Sequence, residues 1–291
     1  MDIFIGKKLY PNGEDTILSN FAGFYDSVFI AYLPFFRLKE NSSGKASVKK
    51  SHRISLAESK AGDEIFAGLP DFNADVYSYE NDRYPDAEMI FEHGETVSWE
   101  EVRNGAKFND HAEIYKALKT SIGSYRKVFE RVDLYEKLMA FTERSAIYHP
   151  SEGNFEVLSK IEIYKALKRS GKHEIVVVDE FYESEKQLDL SAVGLKEFVE
   201  KIEYKDYYIY AKDKSVLFTI EWDSFFYLIC AAKKTIDEIL RESKIEGFFC
   251  TNENKHTWEW NEEELIKLLE SESRTEKKSH WTKFKDILIK K

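Results

Sequence analysis

Tyr207 to Ala231 reads YYIYAKDKSVLFTIEWDSFFYLICA, and the fold turns on how this run is divided. Its β-branched and aromatic residues favour pleated, half-buried strands. Lys212-Asp213-Lys214 separates Tyr207–Ala211 from Ser215–Trp222 and reads as a hairpin. Phe225–Ala231 is a third strand entered through a turn at Asp223-Ser224, or it opens the following helix. A short apolar run fits both. Upstream lies the β-branched run Ile175–Val178, then a short helix at Leu195–Ile202. Downstream, Thr235–Ser243 reads as a helix. Glu246–Cys250 and Thr257–Trp260 read as a second hairpin across Asn252-Glu253-Asn254. Asn261 caps a helix whose amino end carries Glu262, Glu263 and Glu264 on the favourable side of the dipole. The pattern predicts an α+β fold, with a mainly antiparallel sheet built from the C-terminal half and helices packed on one face.

The middle of the chain is helical. Ser98 with Glu101, and Asp110 with Glu113, are capping pairs. The second pair opens a long helix with Ile114, Leu118, Ile122, Tyr125, Phe129 and Val132 on one face. Gly123 interrupts it, either as a tolerated glycine or to admit a neighbouring backbone. A turn at Tyr148–Gly153 precedes a helix over Asn154–Arg169. The heptapeptide EIYKALK occurs twice, at Glu113–Lys119 and Glu162–Lys168. The flanks do not match, so it reads as two amphipathic helices drawn from one residue menu, not a duplication.

Toward the amino end, Ser27–Phe36 reads as a buried strand ended by Pro34. Glu40–Lys60 is Ser/Lys/Gly-rich and lacks periodicity. Its Lys45, Lys49, Lys50 and Arg53 are read as solvated loop residues. Asp71–Pro85 is irregular. The expected organisation is a strand segment at 1–37 packing on the main domain, a flexible or irregular insert at 38–84, a main α+β domain at 85–270 and a basic amphipathic helix at 271–291. In that last helix Trp281, Phe284, Ile287 and Leu288 share a face, which packs most simply on its own domain.

With 291 residues, 43% hydrophobic and 33% charged, the chain can bury a core without disulfide or metal staples. A net charge of −10 opposes phosphate backbones, so no nucleic-acid partner is expected. The two cysteines, Cys230 and Cys250, lie in apolar runs and read as buried thiols in a reducing compartment. The amino terminus has no signal pattern. The longest apolar stretch, Phe225–Ala232, is far short of the roughly twenty residues a membrane helix needs. The cytoplasm is the default location.

The chain resembles a bacterial family known as domain of unknown function 2711. The resemblance rests on LFTIEWDSFFYLIC (Leu217–Cys230) and IEGFFCTNENKHTWEW (Ile245–Trp260). Tyr84-Pro85, Val97–Glu101, Thr120–Gly123, Tyr148–Gly153 and Val178–Phe181 are similar too. It covers about Ser27–Trp260, with a longer Ser/Lys-rich loop and an extra tail. It implies a cytoplasmic protein of a low-GC Gram-positive bacterium, and carries no known activity or catalytic residues.

Four carboxylates stand at strand ends. Asp179 and Glu180 follow the run IVVV, and Glu221 and Asp223 flank Trp222. Converging, they would bind Mg²⁺ and activate water. Singly, they would simply start turns. His149, with Ser151, lies ahead of a helix amino end and would serve as a base or an anion contact. The plainer reading is that Ser151 caps, Pro150 fixes the turn and Gly153 permits it. Cys250 and His256 stand on facing arms of the expected second hairpin, but no CxxC or HxxxH spacing accompanies them. No phosphate loop, nucleophile elbow or dinucleotide fingerprint is present.

Two functions follow. The first is a non-enzymatic module that binds a basic protein, for example an immunity protein masking a toxin. Its contact face would be Asp179, Glu180, Glu183, Glu185 and Asp189. The second is a metal-assisted hydrolase using Asp179, Glu180, Glu221 and Asp223. The first needs no metal and no cofactor, and none is assigned.

Overall fold

A computed structural model describes residues 9–11, 15–39 and 84–270, together with the backbone of strands at Lys50–Ser55 and Asp75–Glu80. Strands run in chain order as β1 (Ser27–Tyr32), β2 (Phe35–Leu38), β3 (Lys50–Ser55), β4 (Asp75–Glu80) and β5 (Gly94–Val97), then β6 (Glu174–Asp179), β7 (Glu185–Asp189), β8 (Asp206–Ala211), β9 (Val216–Ile220), β10 (Phe226–Ala231) and β11 (Gly247–Phe249). Helices are α1 (Ile17–Asn20), α2 (Ala87–His93), α3 (Trp99–Ala106), α4 (His111–Ser121), α5 (Val132–Arg144), α6 (Val157–Arg169), α7 (Leu195–Lys201) and α8 (Lys233–Arg241), followed by α9 at 262–270.

The run Tyr207–Ala231 folds as three consecutive antiparallel strands, β8, β9 and β10. Every residue of all three is buried. The strand alternative for Phe225–Ala231 therefore holds. Both faces of the sheet are covered, so a continuous apolar run carries no alternation to mark it as a strand. The full sheet has the order β11-β1-β10-β9-β8-β6-β7, and its pairings are antiparallel. The fold is α+β. Phe226 and Tyr227 point to opposite faces of the sheet. Phe226 meets Tyr115 of the helical middle segment, with ring centroids 5.6 Å apart, while Tyr227 meets Phe155, just ahead of α6, also at 5.6 Å.

The amino-terminal strand does more than pack on this sheet. β1 enters it between β10 and β11, with Ile30 opposite Leu228 on one side and Phe248 on the other. Beyond Pro34 the chain leaves to pair β2 with β5. Trp99 of α3 stacks on Tyr32 at 4.2 Å and donates its indole N–H to the Leu33 carbonyl at 2.8 Å. A stacked pair of this kind is worth about 1 kcal/mol beyond its area.

Several elements differ from the sequence reading. The expected hairpin of Glu246–Cys250 with Thr257–Trp260 does not form. β11 pairs with β1, while 257–260 is a turn that delivers Trp258 onto Tyr32, Tyr115, Phe226 and Phe248. The long helix after Asp110 stops at Ser121, because Gly123 takes φ +64° and ends it; Val132 starts α5 instead. α6 begins at Val157, with Glu156 rather than Ser151 at its amino cap. Within the segment read as irregular, β3 and β4 pair antiparallel. Ser98 and Asp110 cap as their spacing predicts, each accepting an N–H at 2.9 Å. Lys45, Lys49 and the tail from 271 lie outside the described residues.

Candidate functional site

The register places three turns at one end of the sheet. Asp179, at the end of β6, lies opposite Asp206 at the start of β8. Tyr208 of β8 lies opposite Thr219 of β9, and Ile220 opposite Tyr227 of β10. The turns at 180–184 and 221–225 and the loop at 203–205 are therefore neighbours.

The four strand-end carboxylates part company here. Asp179 folds back on its own turn. Its oxygens accept the N–H groups of Phe181 at 2.7 Å, Glu183 at 3.3 Å and Ser184. That is a turn-forming aspartate. Glu180 is half-buried beside it, and its backbone N–H bonds the Lys205 carbonyl. Of the residues read as a contact face, Glu183, Glu185 and Asp189 are exposed. Asp189 accepts the Ser191 N–H at 2.8 Å, which helps hold its carboxyl below the usual range. Glu185 accepts from the Gln187 side chain at 3.0 Å.

Glu221 and Asp223 instead meet a histidine. One oxygen of each and one ring nitrogen of His256 lie within 4.8 Å of one another, all three side chains being half-buried. His256 Nε2 is 3.5 Å from Glu221 Oε2, and its Nδ1 is 3.1 Å from the Tyr10 hydroxyl. Lys119, from α4, donates to Asp223 Oδ2 at 2.8 Å and to the Asp223 carbonyl at 3.1 Å. Lys119 is 6% exposed, so this pair is held away from solvent on the lysine side. Four chain segments thus converge on one point.

Beneath them lies a second tier of polar groups. Tyr125 donates to Glu259 Oε1 at 2.6 Å, and Trp260 donates its indole N–H to Tyr125 at 3.2 Å. Burial pushes the Glu259 carboxyl up from its ordinary range. Lys116 stands 3.9 Å from the Trp260 ring centroid and pairs with Glu264 at 3.1 Å. The Tyr115 and Ser224 hydroxyls and Glu259 Oε2 are buried without a hydrogen-bond partner. Groups of this kind mark a place where something else binds, or where strain is kept.

A close backbone approach holds the turn bearing Glu221 and Asp223. Gly153 takes φ +67°, donates its N–H to the Ser224 carbonyl at 2.9 Å, and leaves no room for a Cβ, which would fall 1.7 Å from the Trp222 carbonyl oxygen. The glycine read as permitting a turn therefore also clamps another one.

His149 is buried elsewhere. Its Nε2 lies 2.8 Å from the Thr142 hydroxyl and its ring packs edge-on against Phe35. Burial drives the imidazole down to about 3, so it is neutral at physiological pH and acts as a packed core residue. Cys250 does not pair with His256. Burial pushes its thiol up to about 12 and raises that of Cys230 as well, so both stay protonated. No helix among the described residues is long and apolar enough to cross a membrane.

The sequence profile of a family described as a protein of unknown function, DUF2711, matches residues 13–260. The chain belongs to this family. The uncharacterized protein YwbB of Bacillus subtilis (strain 168) is similar, with 27% identity over 175 residues, covering 60% of this chain and 77% of that protein. No solved structure matches. The family match takes in Glu221, Asp223 and His256, and stops short of Glu264.

Proposed function

We propose that this chain is a non-enzymatic module that binds a basic protein through the loop end of its sheet. The observation that carries the reading is an open cleft of about 520 Å³ lined by Asp179, Phe181, Glu183, Glu203, Tyr204 and Asp206, among others. Phe181 is 63% and Tyr204 71% exposed, and Trp222, on the adjacent turn, is 63% exposed. Large aromatics are seldom left in water together without a partner. Glu203 and Asp206 already pair with Lys186, whereas among the described residues Glu180 and Glu183, beside the aromatics, form no ion pair. Aromatic faces with unpaired carboxylates suit an arginine or lysine side chain, which gains cation–π and charge contacts at once. Masking of a basic active site, as an immunity protein does, is one form such binding takes.

The test is a fluorescence titration of the full chain with Lys/Arg-rich peptides at low and physiological salt. Binding weakens with salt, and Phe181→Ser with Tyr204→Ser lowers affinity by at least about tenfold. Equal affinity in wild type and the double variant rejects the cleft.

A second reading, the metal-assisted hydrolase, is favoured by the meeting of Glu221, Asp223 and His256. Asp179 is committed to its turn, so of the four carboxylates first considered the reading keeps Glu221 and Asp223 and gains the histidine.

A further inference from the structure

We propose that Glu221, Asp223 and His256 bind one divalent transition-metal cation, Zn²⁺ or Mn²⁺, at the edge of the buried polar tier. The cluster shares no residue with the acidic cleft, and the two ideas stand or fall separately. Two carboxylates and one imidazole are a three-ligand set that leaves positions for water. An imidazole donor disfavours Mg²⁺ and Ca²⁺, which prefer oxygen alone. Tetrahedral bonds of about 2.1 Å place ligand atoms about 3.4 Å apart, so the histidine–Glu221 pair at 3.5 Å is already spaced for it.

The surrounding groups are those a cation centre needs. Tyr10 sits on His256 Nδ1 and so fixes the ring with Nε2 toward Glu221. Such a group on the second ring nitrogen orients a metal-binding histidine and sets its tautomer. Lys119 holds one oxygen of Asp223, so this carboxylate enters with a single oxygen.

A second, independent observation points to a ligand. The Ser224 hydroxyl is fully buried and meets those of Tyr10 and Tyr115 only at long range, with no hydrogen bond of ordinary geometry. The Tyr115 hydroxyl, from a residue 1% exposed, has none either. Both stand under the cluster, where Tyr10 links them to His256. They are placed to hold the water molecules that would complete the coordination of the ion.

The full chain, stripped with EDTA, is titrated with MnCl₂, ZnCl₂ and MgCl₂ by calorimetry and by melting temperature. One Mn²⁺ or Zn²⁺ binds per chain and raises the melting temperature, and Mg²⁺ binds at least about tenfold more weakly. Pulsed EPR of the Mn²⁺ complex shows nitrogen coupling from a coordinated imidazole. His256→Gln removes that coupling, and Glu221→Gln weakens Mn²⁺ at least about tenfold. Tyr10→Phe, which touches no ion, weakens it by about tenfold. Absence of stoichiometric binding to the wild type, or nitrogen coupling that persists in His256→Gln, overturns the proposal. The wild-type spectrum decides the matter even where a variant fails to fold.

Discussion

The heptapeptide EIYKALK forms part of α4 and again part of α6, and the two copies share no environment. In the first, Tyr115, Lys116 and Lys119 are 1%, 5% and 6% exposed and face the polar tier and Asp223. In the second, Lys165 is largely exposed and pairs with Glu162 one turn back, while the Tyr164 hydroxyl and Lys168 bond the carbonyls of Val193 and Leu190. Seven identical residues thus supply the wall of a candidate site in one place and ties to the α7 approach in the other. A helix determines which side chains share a face. What that face meets is decided by the rest of the chain.

The contrast breaks first if its frame is moved. Gly153→Ala forces a Cβ into the Trp222 carbonyl and loses the left-handed backbone conformation, shifting the turn that Lys119 grips. It costs about 4 kcal/mol or more in urea unfolding, at the upper end for single substitutions. The copies must then be compared at one pH, because His149 adds a strong dependence of its own. The folded state refuses a proton until about pH 3, while the unfolded chain accepts it near 6.5. Between those values the unfolded state binds more protons, so stability is full above 6.5 and falls with pH, by about 3 kcal/mol on reaching pH 4. His149→Gln flattens that slope.

At fixed neutral pH the lysines separate the copies. Lys119→Met leaves Asp223 without its partner and costs about 3 kcal/mol. Lys168→Met removes one bond to a carbonyl and costs about 1 kcal/mol. Equal costs, measured by denaturation, would erase the distinction. The tyrosines should differ in sign. Tyr164→Phe loses a hydrogen bond, at about 1 kcal/mol, whereas Tyr115→Phe deletes a buried hydroxyl without a partner and is neutral or slightly stabilising.

The β8–β10 meander and the helical middle are legible because apolar runs, turn residues and capping pairs are local signals. The place of β1 is not, since nothing near Ser27 reveals that its partners are β10 and β11. Gly123 reads as a tolerated interruption or as room for a neighbouring backbone, whereas its positive φ ends α4. At the site, Glu221 and Asp223 stand out as acids past a strand, but Asp179 and Glu180 look the same in sequence. Only the turn length after β6, which lets Asp179 reach its own backbone, tells them apart. In sequence His256 reads as a partner for cysteine alone, and Lys119, Tyr10 and Tyr115 do not stand out as site residues. For Lys119 and Tyr115 the one sequence signal is the repeated heptapeptide, whose flanks differ and so allow a different use; Tyr10 lies outside it and has no such signal.

The position of β1 also dictates an order of events during synthesis. A ribosome delivers Ser27–Tyr32 long before Phe226–Ala231 and Gly247–Phe249 exist, so an early strand must wait, exposed and apolar, for both of its neighbours. Tyr10 waits likewise for His256. The nascent chain therefore offers chaperones a long window in which this segment is uncovered, and a carboxyl-terminal truncation before β10 would orphan it permanently.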